Sequence, residues 1–267
     1  VEKNINFSPS NLKTATPGDV IKTRKNLIRM KQSSFTLYYF LIGIIFIILE
    51  RFFQFYYLET TIKALVIASL MVYFHSFVRG KYTLFHRLIM AGLFFSLLGD
   101  IFLQLANGDI RTSLPPENFF MAGMGAFLFT QIFYIFGFNI KRGKNPVFRK
   151  RVYQLILVIA YGGLILWLLY NKLEIYGVNY RIPVIIFTFF ILLMLVSAMN
   201  RYGKVNGVSY MLVVTGALLF VASASMIVVN KFLEKFDFAR VLIMITYITG
   251  QYLIAKGCIK QDFPDKD

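Results

Sequence analysis

The stretch Arg87-Leu-Ile-Met-Ala-Gly-Leu-Phe-Phe-Ser-Leu-Leu-Gly-Asp-Ile-Phe-Leu-Gln104 decides the fold class, because it is an apolar helix with a carboxylate near its middle. An aspartate at the centre of a membrane-spanning helix costs roughly 2.5 to 3.5 kcal/mol, so Asp100 should face a protein interior or a wet cavity. Ser96, Asp100 and Gln104 follow one another at intervals of four residues and therefore share one helical face. The sequence predicts that this face is a wall of a buried site.

The composition of the whole chain is that of a polytopic membrane protein. Of its 267 residues, 57% are hydrophobic and 29 are Phe, and apolar runs of about 20 residues recur along the chain. The net charge of +16 would suggest nucleic-acid binding in a soluble protein. Here the basic residues lie between apolar runs, where they orient the chain and attract anionic lipid. We therefore expect membrane lipids, and no nucleic acid, as partners.

Cysteine and histidine usage argues against metal and redox sites. Cys258 is the single cysteine, so neither an intramolecular disulfide nor a CxxC motif can form. His75 and His86 fall on different predicted elements with no acidic ligand nearby, which makes a metal site improbable. We expect no metal ion and no cofactor.

The apolar runs predict an all-α bundle of eight transmembrane helices with short connections. Residues 1–34 are polar and basic, so we expect them to be disordered or surface-lying, with Met30 a candidate start. Residues 35–258 form the transmembrane domain, and residues 259–267 form a short polar tail. The predicted spans are 35–57, 61–78, 85–106, 118–140, 152–171, 181–199, 208–232 and 239–258.

The charges between the spans predict an orientation. Lys and Arg concentrate in the N-terminal segment, in the connections after the second, fourth and sixth spans, and in the C-terminal tail. By the positive-inside rule, both termini and the basic connection from Lys141 to Arg151 are cytoplasmic. Asp100 and Ser223 then fall near the middle of the membrane or in its outer half, and Lys63 begins the second span on the outer side.

Two further spans carry polar stripes at helical spacing. Gln131 and Tyr134 belong to a stripe on the fourth span, and Tyr247 and Gln251 lie one turn apart on the eighth. We expect Asp100 to share one cavity with the stripe of the eighth span and with the seventh. The alternative is that these side chains only form interhelical hydrogen bonds, worth about 0.6 kcal/mol each.

The expected cavity has a defined outer end. It joins Asp100 to Ser223, Tyr247 and Gln251 because their stripes lie at matching depths. Lys63 should close the cavity, where its ammonium meets a lipid phosphate as a point charge. In the alternative reading, Asp100 is a structural residue hydrogen-bonded to neighbouring polar side chains.

Several segments together resemble the bacterial YhhN and animal TMEM86 family. They are Phe95-Ser-Leu-Leu-Gly-Asp100, then Phe120-x-x-Gly-Met-Gly-Ala-Phe127 with Tyr134 and Phe138, then Gly216-Ala-Leu-Leu-Phe220 with Ser223 and Asn230-Lys-Phe232, then Tyr247-x-x-x-Gln251 with Gly257. The resemblance runs in order from Lys63 to Gly257. It implies a multi-pass, eight-helix lysoplasmalogenase of the bacterial inner membrane. Such an enzyme hydrolyses the vinyl ether bond of lysoplasmalogen to a fatty aldehyde and a glycerophospho-headgroup.

The resemblance also implies site residues, and the chain departs from the family pattern at two of them. Family members usually have Asp where this chain has Ala224, and His where it has Gln131. The implied catalytic positions are Asp100, Ser223, Ala224 and Tyr247. The implied substrate-binding residues are Lys63, Ser96, Gln131, Tyr134, Asn230 and Gln251, and the substrate is a lysolipid or ether lipid from the bilayer.

The implied chemistry explains why the departures matter. Protonation of the β-carbon of a vinyl ether gives an oxocarbenium ion that water captures, so the site needs an acid and a cation-stabilising group. Asp100 suits the role of the acid. With alanine at position 224, water activation would fall to Glu50, Tyr247 or Ser223.

Other functions stay open at the level of sequence. Ala224 marks either a divergent member with altered or absent chemistry, or an engineered substitution. Without catalysis, the chain would be a lysolipid-binding or carrier protein. A transporter is disfavoured because the intramembrane charges are few and the two halves show no repeat. For Glu50, an ion pair with Arg51 or Lys63 is the simpler interpretation.

Overall fold

Helices make up most of the structure, a computed structural model that describes residues 33–49, 56–78, 82–107, 115–140, 152–175 and 178–261. The chain divides into two units, Val1–Leu41 and Ile42–Asp267, and the site lies within the second. The helices of the described residues are α1 Ser33–Leu49, α2 Tyr56–Val78, α3 Leu84–Asn107, α4 Pro116–Asn139, α5 Val152–Leu169, α6 Arg181–Met199, α7 Gly207–Val228 and α8 Ala239–Lys260.

Seven of these helices, α2 to α8, are long and apolar enough to cross a membrane within the described ranges. The chain is therefore a multi-pass membrane protein, as its composition predicts. The α1 helix is apolar but shorter, and the predicted span 35–57 continues into residues 50–55, outside the described part of the chain. The termini and the whole of the basic connection 141–151 also lie outside the described residues.

Two helices continue into tighter or wider turns, and one connection contains strands that the sequence analysis did not predict. The α5 helix ends in a 3₁₀ turn at Tyr170–Lys172, and α7 ends in a π-helical turn at Val229–Leu233. Strands β1 (Glu174–Ile175) and β2 (Val178–Asn179) pair antiparallel between α5 and α6. Strands of two residues carry no alternating pattern long enough to recognise in a sequence.

Local sequence signals explain where two of the helices begin. Pro116 occupies the first turn of α4, where a missing backbone N–H costs nothing. Asn206 caps α7, because its Oδ1 accepts a hydrogen bond of 2.7 Å from the backbone N–H of Ser209. These signals account for the first residues of α4 and α7.

Glycines let the central helices approach closely. A Cβ added at Gly99 of α3 would lie 2.7 Å from the ring of Phe127 on α4. On α7, a Cβ at Gly216 would lie 2.7 Å from the carbonyl oxygen of Gly250 on α8. The hydrophobic effect does not drive helices together in lipid, so van der Waals packing at small residues stabilises such crossings instead. As a result, α3, α4, α7 and α8 bring their polar positions within hydrogen-bonding reach.

The helices differ in how much of their surface is covered by protein. In the spanning window of α8, 61% of the residues are buried, whereas in that of α5 the share is 17%. A membrane helix with so little protein contact presents most of its side chains to lipid. Tyr247 and Gln251 of α8 lie inside the bundle, and α5 lies at its edge.

Candidate functional site

Asp100 lies buried at the centre of the candidate site, with 2% of its surface exposed. The ammonium nitrogen of Lys63 lies 3.7 Å from its Oδ1. The hydroxyl of Tyr247 donates a hydrogen bond of 2.5 Å to its Oδ2. Both carboxyl oxygens therefore have a partner, one from α2 and one from α8.

Lys63 reaches Asp100 because of where α2 begins. The helix starts at Tyr56, so Lys63 lies about two turns inside it rather than at its first turn. Its side chain is only 13% exposed in the ion pair. The ammonium of Lys63 therefore lies beside the carboxyl group of Asp100 in a largely buried position.

A chain of hydrogen bonds extends the site from Asp100 to α4. The Oγ of Ser96 lies 3.1 Å from the hydroxyl of Tyr247, and the amide of Gln251 donates to that Oγ at 2.7 Å. The hydroxyl of Tyr134 donates to Oε1 of Gln251 at 2.7 Å. We call these side chains the buried network: Lys63, Ser96, Asp100, Tyr134, Tyr247 and Gln251.

Aromatic rings line the same region. Phe127 of α4 packs edge-on against Tyr247, with ring centroids 5.9 Å apart, and Phe220 of α7 lies 5.9 Å from the same ring. The faces of such rings attract positive charge. Both phenylalanines belong to the family pattern in the sequence, but they were not predicted as site residues. Their signal was helical spacing, since Phe127 lies one turn from Gln131.

Ser223 and Asn230 make other contacts. The Oγ of Ser223 donates to the carbonyl oxygen of Ile243 at 2.9 Å, so it joins α7 to α8 outside the buried network. The Oδ1 of Asn230 accepts from the backbone N–H of Phe236 at 3.4 Å and closes the turn before α8. The structure thus brings together Asp100 and Tyr247 but gives Ser223 a backbone partner.

Ala224 lines a small cavity between α5, α6 and α7. The hydroxyl of Tyr161, another lining residue, donates to Oγ of Ser225 at 2.7 Å. A larger groove of about 520 Å³ adjoins it and shares Tyr161, Leu192 and Val221. The groove is lined mainly by apolar side chains of the same three helices, among them Leu157, Leu192 and Leu218.

Gln131 is fully buried on α4, and neither its Nε2 nor its Oε1 has a hydrogen-bond partner among the described residues. A buried polar group without a partner costs about 1–3 kcal/mol. Gln131 is therefore a polar side chain that the described helices bury without a hydrogen bond.

The arrangement suits proton transfer to or from a substrate in a dry environment. A buried carboxyl group with a phenol and an ammonium on its two oxygens can exchange a proton, and the nearby rings can stabilise a cation. Within the part of the chain that the structure describes, no group of three or more His, Cys, Asp or Glu is placed to hold a metal ion. Glu50, the alternative acid of the sequence analysis, lies outside the described residues.

Comparisons with known proteins agree with the sequence resemblance. The profile of the YhhN family matches residues 58–258, which include all of the buried network. Lysoplasmalogenase TMEM86A of Bos taurus is 30% identical over 185 residues, covering 67% of this chain and 68% of that protein. No solved structure matches. With most of its membrane region matched from α2 to α8, the chain belongs to the YhhN family.

Proposed function

We propose that this chain is a lysoplasmalogenase-type hydrolase that cleaves the vinyl ether bond of a lysolipid drawn from the bilayer. The observation that carries this proposal is the buried Asp100, held between Lys63 and Tyr247 beside aromatic rings. The similarity to a bovine lysoplasmalogenase supports the same substrate class. The products are a fatty aldehyde and a glycerophospho-headgroup.

The proposed reaction uses Asp100 first as an acid and then as a base. The ammonium of Lys63 passes a proton to the paired carboxylate of Asp100. That proton moves from Asp100 to the β-carbon of the vinyl ether, and an oxocarbenium ion forms between the α-carbon and the ether oxygen. The rings of Phe127 and Phe220, which adjoin Tyr247, stabilise this cation. Water adds to the α-carbon and returns a proton to Asp100. The hemiacetal then collapses to the aldehyde and the glycerol hydroxyl, so one water is consumed.

The remaining network residues have supporting roles in this proposal. Tyr247 and Lys63 orient the carboxyl group, and Ser96 and Gln251 orient Tyr247 through the hydrogen bonds described above. Tyr134 fixes the amide of Gln251 from α4. Ser223 and Asn230 are proposed to act from α7, where their present partners are backbone groups.

Ala224 limits the proposed activity, because the family carboxylate at this position is absent. We expect near-zero aldehyde release from purified protein and lysoplasmalogen, and a gain of about 10²- to 10⁴-fold for Ala224→Asp. The gain should disappear when Ala224→Asp is combined with Asp100→Asn. Full activity of the unmodified chain would contradict the need for a second carboxylate and make Glu50 the first residue to mutate.

A second candidate function is lysolipid binding or transport without turnover. It is favoured by alanine at position 224 together with the apolar groove of about 520 Å³ between α5, α6 and α7. No aldehyde release from the unmodified chain, Ala224→Asp or the double variant, with lysolipid still bound, would select this function.

The proposed membrane topology has eight spans, with both termini and the connection 141–151 cytoplasmic in a bacterial inner membrane. Its support is the distribution of Lys and Arg, which follows the positive-inside rule. Single cysteines at positions 112 and 144, in a background without Cys258, test it by labelling from outside. Labelling at 112 alone is expected, and labelling at 144 alone would reverse the orientation.

A further inference from the structure

The unpartnered amide of Gln131 lies beside the buried network rather than in a remote part of the core. On α4, Phe127 precedes Gln131 by one turn and Tyr134 follows it by one turn, so the three side chains share a face. Phe127 contacts the ring of Tyr247, and Tyr134 bonds Gln251. Gln131 is therefore level with the turn of α8 that separates Tyr247 from Gln251.

The chemistry of the amide restricts what can complete it. Its Nε2 donates hydrogen bonds and its Oε1 accepts them, and both atoms are without a partner in the described part of the chain. A carbonyl or ether oxygen would satisfy only the donor, and an ammonium only the acceptor. A hydroxyl group satisfies both, because it donates one hydrogen bond and accepts others.

We propose that Gln131 binds the free glycerol hydroxyl of a lysolipid and selects lysolipids over lipids that lack it. This inference rests on the proposed function, because it assigns the substrate group read by the same site. A lysolipid differs from its diacyl counterpart by this hydroxyl, since in the diacyl lipid an acyl chain blocks it. A site built to bind a hydroxyl discriminates strongly against ligands without one, because its own polar atoms are then left unpaired.

Binding of an uncleavable ligand pair tests this role without requiring turnover. The ligands are a 1-O-alkyl lysophospholipid and its 2-deoxy analogue, which differ only in the glycerol hydroxyl, and affinities are measured by titration in detergent. We expect the unmodified protein to prefer the hydroxyl-bearing lipid by about tenfold or more. Gln131→Met, which removes both polar atoms and keeps the side-chain length, should bind the two ligands about equally.

Two controls separate recognition from a general structural effect. Thr130→Val changes the residue next to Gln131 on α4, whose buried hydroxyl bonds the carbonyl oxygen of Ala126 in its own helix, and it should keep the full preference for the hydroxyl. The comparison of the two ligands on unmodified protein needs no variant, so it stands even where Gln131→Met fails to fold.

Each outcome decides the proposal. Equal affinity of the unmodified protein for both ligands, or no binding of either, overturns it. A preference that Gln131→Met retains also overturns it and leaves the amide to bind water. Loss of aldehyde release in the Ala224→Asp protein with the binding preference intact would instead refute the proposed function and leave this recognition standing.

Discussion

The two sides of the bundle treat polar side chains differently. Around α8, side chains from α2, α3 and α4 join those of α8 in the buried network. Gln251 bonds Ser96, and the hydroxyl of Tyr247 links Ser96 to Asp100. Around α5, the interior is an apolar groove, and Tyr161 is 38% exposed while it bonds Ser225. Polar groups within a membrane are stable where protein covers them. A reaction that needs a charged group shielded from water is therefore expected in the buried network around α8.

The α7 helix separates these two sides. Phe220 contacts the ring of Tyr247, and Ala224, one turn further along the same face of α7, lines the cavity of α5 and α6. A carboxylate at position 224 would therefore lie between the ring of Phe220 and that cavity. Under the proposed function, the substrate would lie across α7, with its polar end at the buried network.

The two sides should differ most in the free energy of unfolding that is lost when an ion pair is broken. Lys63→Met leaves the Asp100 carboxylate buried without its cation, and we expect a loss of about 3–5 kcal/mol in the free energy of unfolding. Arg181 and Glu174, 3.8 Å apart at the α5–α6 connection, form the matched pair. Because both of those side chains are partly exposed, Arg181→Met should cost less than about 1 kcal/mol.

The double variant Lys63→Met with Asp100→Asn distinguishes the loss of an ion pair from the loss of packing. We expect it to recover much of the stability lost in Lys63→Met, since no unpaired carboxylate remains. The free energy of unfolding is measured in mixed detergent micelles for the unmodified protein, the two single variants and the double variant. Equal destabilisation by Lys63→Met and Arg181→Met would show that the two sides do not differ in their dielectric environment.

A smaller difference in unfolding free energy is expected when a glycine on each side is replaced by alanine. Gly216→Ala places a methyl group 2.7 Å from the carbonyl oxygen of Gly250, and neither backbone can yield cheaply, so we expect a loss of about 1–3 kcal/mol. Gly163→Ala on α5 meets no atom within 4 Å and should stabilise the helix by up to about 1 kcal/mol. The same unfolding measurement applies. A stabilising Gly216→Ala would mean that α7 and α8 are not held at this close distance.

The sequence predicted the membrane helices but not how they face one another. Apolar runs located α2 to α8, and the interval of four placed Ser96 and Asp100 on one face, which is buried. Spacing within one helix does not determine the rotation of that helix against its neighbours. For this reason the bond from Ser223 to the backbone of α8 and the position of Ala224 on the groove side could not be derived.

Gln131 shows a second limit of the sequence. Its place on a polar stripe was visible from helical spacing, but the lack of a partner for either amide atom depends on every neighbouring side chain. A pattern of residue types reports which groups are polar. Only three-dimensional packing reports which of them remain without a hydrogen bond.

The smallest contrast concerns single hydroxyl groups. Tyr134→Phe removes the donor to Oε1 of Gln251 in a fully buried environment, and we expect a loss of about 0.6–1.7 kcal/mol in unfolding free energy. Tyr161→Phe removes a hydrogen bond of the same length at the edge of the groove. Lipid headgroups or water can replace it there, so the change should stay within about 0.5 kcal/mol.

A double-mutant cycle assigns the Tyr134 effect to its bond. If the hydroxyl acts through Gln251, then Tyr134→Phe should cost less in a Gln251→Leu background than in the unmodified protein, because the acceptor is already gone. Additive losses would place the effect in another contact of Tyr134. A cost for Tyr161→Phe equal to that of Tyr134→Phe would mean that the groove is as dry as the network, and the contrast between the two sides would then rest on charge alone.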